Sequence, residues 1–401
     1  MKTTGAAGGP DKIGLVFYRD SASSGGSLRI GETLANGLAR AGHDVHLLFA
    51  YGGRGPVSES PMLSSHFIGS SGPTDWEHWQ SARKLLKSLR PDILHFVDPV
   101  IWLQAAAVGL GIPKVLHMHR TLLPEFVGLA HRLVWRAVAP TADAVVFISS
   151  GARDAYVRGH YGPSRRTHIV RNAIDVEFHT QLMDRAESRK LFHLPIGARV
   201  LLMVGALRRE KGCFDAISLL QWLPSEWVLL FCGDGPDEAP LRHRASFEGA
   251  RVVFAGSVDD IRPAYAAADV VLCLSHYESF GLFMCQAMAA GVPVFGLRGE
   301  GEYEEADYPL ITRTNAMLLP RRNRQLTNGA SDERDLKALS ERLCEFAAYP
   351  DKWGSMTRAA SDWVSERFGQ ARYVNEMSVI YRSIRPAGAH NASVKALVES
   401  R

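Results

Sequence analysis

With 401 residues, 46% of them hydrophobic and 22% charged, the chain is long enough to bury large cores, and its length favours two or three domains. A net charge of +4 without a basic tail or block speaks against a nucleic-acid partner; it suits a polyanionic small ligand or peripheral contact with an anionic bilayer. The five cysteines (Cys213, Cys232, Cys273, Cys285 and Cys344) form an odd set without CxxC spacing, as expected of reduced, buried thiols in a cytoplasmic protein. The opening MKTTGAAGGPDK lacks the apolar core of a secretory leader. No apolar run reaches membrane-spanning length, the nearest being Val100 to Ile112, broken by Gln104.

Residues 13–180 alternate strand and helix. Apolar, β-branched runs predict strands at Ile13–Tyr18, Val45–Ala50, Asp92–Phe96, Lys114–Met118, Ala144–Ile148 and His168–Val170. Helical periodicity marks Leu28–Arg40, Trp76–Leu89 and Phe126–Val138, the second opened by a capping box, Thr74-Asp75-Trp76-Glu77. Such alternation predicts a doubly wound parallel sheet. The loop from Tyr18 to Gly26 places two glycines directly before a helix, where backbone can approach a phosphate; a plain glycine turn fits that segment equally well. The amphipathic segment Phe126–Trp135 could touch a membrane surface, although packing on its own sheet is the simpler reading.

Residues 172–196 hold no clear strand, only a polar helical stretch at Asp184–Phe192 followed by Pro195 and Gly197. They place a domain boundary near residue 180, with a first domain over 1–180 and a second over 181–369. A second series of strands follows at Val200–Gly205, Trp227–Cys232, Arg251–Ala255, Val270–Leu274 and Val292–Phe295, separated by helices at 213–222, 238–246, 260–268 and 280–290. Residues 321–331, RRNRQLTNGAS, read as a polar surface loop. Helices are expected at Glu333–Ala348, Asp351–Glu366 and Ala371–Ile384, and the tail from 387 to 401 reads as frayed.

The most informative stretch is Ser275 to Val294, SHYESFGLFMCQAMAAGVPV. It lies between two buried strands and carries a helix that Ser279 can cap and Gly291 stops. In an open α/β sheet a ligand sits outside the carboxyl ends of the strands. Glu278 belongs at that mouth, beside the amides of Phe280, Gly281 and Leu282, which would stabilise an anion. A carboxylate next to an anion site suits a ligand with both hydroxyls and phosphates, as a nucleotide sugar has. In isolation Glu278 could equally be a helix cap.

These motifs, in their order, resemble glycosyltransferase family 4, retaining nucleotide-sugar transferases of the GT-B fold with two Rossmann-like domains facing across a cleft. Glu278-SFGLFMC-Gln286 stands where that family has a Glu, seven residues and a second Glu. Gly25-Gly26-Ser27-Leu28-Arg29 resembles its opening glycine loop, and Pro91-Asp92-Ile93-Leu94-His95 and Val115-Leu116-His117-Met118-His119 its cleft-ending strands. Arg171-Asn172-Ala173-Ile174-Asp175 resembles the start of its second domain, and Val204-Gly205 through Lys211-Gly212 its phosphate loop. Gly233-Asp234-Gly235-Pro236 and Phe254-Ala255-Gly256-Ser257-Val258 also fit. The similarity runs from about Ile13 to Arg382.

The resemblance implies that Lys211 neutralises the departing diphosphate, with Gly26 and the amides of Ser279, Phe280, Gly281 and Leu282 around the same phosphates. It implies that Glu278 grips sugar hydroxyls, His119 contacts the transferred sugar, Gln286 meets the ribose, and backbone near Val258 reads the base. His117, two residues before His119, reads as structural, Lys211 alone could be a solvated turn lysine, and Gln286 a packing residue. The implied reaction keeps the anomeric configuration and uses the leaving phosphate as base, without metal or cofactor. The last helix, about 370–386, would cross back onto the first domain. The second Glu is here Gln286, and the family's phosphate arginine is Ala206, for which Arg208 or Arg209 can substitute. Ala173 and Ala316 replace two further glycines. The acceptor class stays open: a carbohydrate, a lipid-linked acceptor or a small molecule. The departures leave two alternatives, a pseudo-glycosyltransferase or epimerase of the same fold and a silent nucleotide-sugar-binding homologue.

Overall fold

The computed structural model describes residues 11–19, 26–51, 61–69, 77–98, 100–119, 129–162, 164–278, 280–301, 310–312, 314–322 and 331–385. The chain divides into two compact units, residues 1–173 with 370–401 and residues 174–369.

Among the described residues, the first unit is built on a seven-stranded parallel sheet. Its strands are β1 (Lys12–Arg19), β2 (Asp44–Tyr51), β3 (Leu63–Phe67), β4 (Ile93–Val97), β5 (Lys114–Met118), β6 (Ala144–Phe147) and β7 (Thr167–Ile169), ordered β3-β2-β1-β4-β5-β6-β7. Helices α1 (Gly26–Arg40), α2 (Glu77–Leu89), α3 (Ile101–Ala107), α4 (Leu129–Val138) and α5 (Ser150–Arg158) intervene. Helices on both faces require strands apolar throughout, and β4 and β6 are buried along their whole length. The order reverses between β1 and β4.

The second unit begins with α6 (Val176–Thr180), capped by the Asp175 side chain, which accepts from the Phe178 amide, and α7 (Arg185–Leu191). Its strands are β8 (Arg199–Val204), β9 (Trp227–Cys232), β10 (Val252–Phe254), β11 (Val270–Cys273), a short β12 (Tyr277–Glu278), β13 (Val294–Leu297), a short β14 (Glu300–Gly301) and β15 (Met317–Leu319). Six of them form a sheet in the order β10-β9-β8-β11-β13-β15, while β12 pairs with β14 alone. The helices are α8 (Cys213–Leu219), α9 (Glu238–Ala245), α10 (Arg262–Ala267), α11 (Leu282–Ala289), α12 (Glu333–Ala348) and α13 (Gly354–Phe368). On one face Trp227, Leu229, Phe231, Leu272 and Phe295 pack with Leu336, Leu339 and Leu343 of α12. Each such side chain contributes roughly 1.5–3 kcal/mol by leaving water. The order reverses between β8 and β11.

After Gly369 the chain returns to the first unit as α14 (Gln370–Ile384), which lies against α1. Gln370 donates to the Thr33 carbonyl at 2.7 Å and accepts from Arg40 at 2.7 Å, while Tyr373, Val374, Met377, Ile380 and Tyr381 are buried.

The two tandem doubly wound sheets agree with the expected fold class. Several local expectations need correction. Edge strand β3 was not anticipated, because LSSHF has little apolar content; helices α3 and α5 were also missed. Helix α11 starts at Leu282 with Gly281 as its N-cap, so Phe280 precedes the helix. Arg321 is not a solvated loop residue: it is 6% exposed, because its guanidinium enters the interior. The capping box at 74–76, the proposed cap Ser279 and the tail from 386 lie outside the described residues.

Candidate active site

In a doubly wound sheet the strand-order reversal opens a crevice at the carboxyl ends, between loops that turn away from each other. In the second unit this is the mouth between β8 and β11. Lys211 comes from the loop after β8 and Glu278 from the loop after β11, and their side chains meet there, Nζ to Oε2 at 2.7 Å. Gly212 makes this approach possible. It has φ +77°, and a Cβ at this position would stand 2.2 Å from the Leu274 carbonyl oxygen. The Ser275 hydroxyl donates to Glu278 at 3.2 Å, and the His276 amide donates to the Glu210 carbonyl at 2.8 Å, joining the two loops. Lys211 is partly exposed while Glu278 is nearly buried, so the ammonium faces the opening.

Other expected donor residues lie in the same unit. Gly281 has φ +81° and leads into α11, and Phe280 is buried against Phe368 of α13, ring centroids 5.5 Å apart. Leu282 is the first residue of α11. Arg209 donates its amide to Asp237 at 2.7 Å and lays its guanidinium 4.4 Å over the Phe214 ring. Arg208 is half-exposed and 3.6 Å from Glu210. Ala206 is exposed, and Val258 is half-buried in the segment after β10. Gln286 lies 3.0 Å from the hydroxyl of Tyr265, whose ionisation burial pushes well above the ordinary range. The phenol therefore stays a neutral hydrogen-bonding group.

A group of residues that sequence reasoning missed lies next to the pair. Asp215, one turn along from Lys211, is contacted by His276 at 3.4 Å and Arg321 at 3.7 Å, with all three side chains buried. The Ser331 amide donates to Asp215 at 3.0 Å and its hydroxyl to the second carboxylate oxygen. Burial alone would raise the Asp215 carboxyl, but the bonds from His276 and Ser331 and the Arg321 charge outweigh it and hold the carboxyl below its ordinary value. Residues 215, 276, 321 and 331 share no local spacing, so no sequence signal joins them.

In the first unit, Gly26 opens α1 and is exposed. His119 follows β5 and is buried, with Asp98, at the end of β4, accepting from its amide at 3.0 Å and lying 3.6 Å from its Nδ1. Asp98 has φ +59°, a conformation that turns its carboxylate back to His119. Among the described residues, neither ring nitrogen of His119 has a hydrogen-bond partner. The His119 ring stacks on His117 at 4.2 Å, and His117 lies 5.3 Å from His95. Tyr381 and Tyr373 of α14 reach His95 at 2.7 Å and His117 at 3.3 Å. Burial, with the neighbouring imidazoles, lowers His95 to about 3 and His117 well below its ordinary value, so both rings are neutral at pH 7. His117 is thus structural, at the bottom of the stack that His119 caps. Among the described residues, no group of three or more His, Cys, Asp or Glu could hold a metal ion, and no helix is long and apolar enough to cross a membrane.

Two doubly wound parallel sheets in tandem, with a charged pair at the second switch point, define a GT-B architecture. HepE of Anabaena, solved with UDP-glucose, superposes with a TM-score of 0.72 at 18% identity, covering 93% of this chain and all of that one. WaaG, a glycosyltransferase involved in lipopolysaccharide biosynthesis, superposes with a TM-score of 0.68 at 17% identity, covering 94% of this chain and all of that one. Residues 24–178 match the sequence model of Glycosyltransferase Family 4 and residues 184–306 that of Glycosyl transferases group 1. N-acetyl-alpha-D-glucosaminyl L-malate synthase of Bacillus anthracis is 25% identical over 72% of this chain and 79% of its own. Alpha-maltose-1-phosphate synthase of Mycolicibacterium smegmatis is 25% identical over 70% and 75%. The chain belongs to glycosyltransferase family 4, and it is an enzyme that transfers a sugar from a nucleotide sugar.

Proposed function

We propose that the protein is a retaining glycosyltransferase that uses a nucleoside-diphosphate sugar without a metal. The observation that carries this reading is the Lys211–Glu278 pair at the β8–β11 switch point, beside the start of α11. A donor diphosphate takes the Lys211 ammonium, with Arg208 and the amides of Gly281 and Leu282 sharing its charge. Glu278, acceptor-only when ionised, holds hydroxyls of the transferred sugar and so fixes the ring for attack. Gln286 meets the ribose and the backbone near Val258 the base. On the first unit, Gly26 is assigned to the phosphates and His119 to the sugar.

In the reaction, the bond from the anomeric carbon to the β-phosphate oxygen breaks and the acceptor oxygen bonds to that carbon from the same face. The acceptor's proton passes to the departing phosphate oxygen, so configuration is retained and no second carboxylate is needed. Because HepE is described with UDP and UDP-glucose, UDP-sugars are the first donors to test.

The test is a thermal-shift screen against UDP-, GDP-, ADP- and TDP-sugars in chelator, followed by NMR of the product's anomeric centre. A ligand bound only by the folded state raises the Tm. A shift with one nucleotide class, lost in Lys211→Ala, together with a product of retained configuration, is expected. An inverted product, or activity only on adding metal, would overturn the mechanism.

A further inference from the structure

The group formed by the buried Asp215, His276 and Arg321 with the half-buried Ser331 has no place in the donor contacts just assigned, yet it is organised around the loops that carry them. Taking an aspartate and an arginine out of water costs several kcal/mol per ion, recovered only with good geometry and full hydrogen bonding, and apolar packing is often at least as stable. What a charged cluster adds is direction. Arg321 donates to the Leu274 carbonyl at 2.5 Å, where β11 ends, and its other nitrogen lies 3.5 Å from His276 Nε2. Asp215 holds the His276 ring, and Glu210, beside Lys211, accepts from the His276 amide. Residues 274–276 are therefore fastened from α8, from the loop before it and from the segment after β15. Two residues further on is Glu278, whose carboxylate must be aimed rather than merely present.

We infer that Asp215 and His276 are positioning residues for sugar transfer, which touch no substrate and act by fixing the 274–278 loop so that Glu278 faces the transferred sugar. The inference rests on the reading of Glu278 given above. The nucleoside diphosphate itself is held by Lys211 and the start of α11, so its binding is largely independent of the cluster.

The experiment is a mutant cycle on the full chain with the nucleotide sugar found in the donor screen. Asp215→Asn and His276→Ala are each expected to lower kcat/KM by about 10–100-fold, the scale of a small misplacement of a catalytic group. Affinity for the nucleoside diphosphate alone, by calorimetry, is expected to stay within about twofold. His276→Gln, which keeps a polar tip near the Nε2 position, is expected to recover most of the loss. In a Glu278→Gln background, either change should cost less than about twofold, because the group being aimed is already disabled. Losses that add fully to that of Glu278→Gln, or that fall equally on diphosphate binding, would overturn the inference. If Asp215→Asn does not fold, the His276 pair carries the same cycle. A wild-type protein inert towards every nucleotide sugar would instead remove the reading of Glu278, and this inference with it.

Discussion

Lys211 and Glu278 are 67 positions apart in the chain, yet their charged atoms stand 2.7 Å apart. In the proposed reaction each has a different client, the ammonium a diphosphate and the carboxylate a sugar. Lys211→Ala removes the charge that offsets the leaving group and leaves a nearly buried carboxylate without its partner. A fall in kcat/KM of about 10²–10³-fold is expected, with diphosphate affinity weakened as well. Glu278→Gln keeps the shape but halves the acceptor capacity, so it should reduce kcat while leaving diphosphate affinity nearly intact. Steady-state kinetics beside calorimetry separates the two, and equal loss of diphosphate binding in both variants would contradict the division of roles.

Gly212 supplies a structural prediction. A Cβ at φ +77° costs roughly 1–2 kcal/mol, and here it also meets the backbone oxygen of Leu274, which has no rotamer to yield. Gly212→Ala should therefore destabilise the second unit by at least about 2 kcal/mol. It should also push the Lys211 loop away from Glu278. Chemical denaturation followed by tryptophan fluorescence reports the first effect and turnover the second.

How much could be read from the chain alone depended on how local each signal was. Strands β5 and β9 and helix α12 have the expected bounds, because an unbroken apolar run or a long 3.6-residue periodicity needs no tertiary information. Strand β3 escaped because an edge strand with one face towards solvent can be as polar as LSSHF, and β15 because three residues carry no period. Lys211, Glu278 and Gln286 stand out through motif spacing, and the structure brings the first two into contact. Asp98 was not, since its role rests on a left-handed backbone conformation that an aspartate announces only weakly. Arg321 was misread for a general reason: an arginine among polar residues looks solvated until topology supplies a buried carboxylate.

The imidazole stack makes an acid-stability prediction. His95 and His117 refuse protons that the unfolded chain accepts below its ordinary pKa of 6.5, so their contribution is complete above pH 6.5 and is lost as pH falls towards the folded values, about 3 for His95. Each histidine adds a slope of about 1.4 kcal/mol per pH unit within that window. His117→Phe should flatten the dependence by one such slope between pH 6 and 4. Urea titrations of the two proteins across that range check it; parallel curves would mean that His117 is protonated in the native state.

Tyr265 and Gln286 raise the question of what a carboxamide does at this position of α11. The Tyr265 hydroxyl lies 3.1 Å from the Phe283 carbonyl oxygen and 3.0 Å from Gln286 Oε1, and it has one proton to give. The phenol therefore donates to one of these two oxygens at a time, and its bond to Gln286 Oε1 fixes the carboxamide plane. In the proposed reading, the fixed carboxamide then offers its NH₂ group and the second lone pair of Oε1 to the ribose. Tyr265→Phe frees the amide to rotate and should weaken nucleoside diphosphate binding by about 3–10-fold, the worth of a single neutral hydrogen bond, with kcat little changed. Gln286→Glu acts in the opposite direction: a carboxylate accepts from the phenol with one oxygen and from the ribose with the other, both bonds charge-assisted, so binding should tighten. Calorimetry with the diphosphate decides, and a Tyr265→Phe protein that binds as the wild type does would show that Gln286 is a packing residue without a ligand.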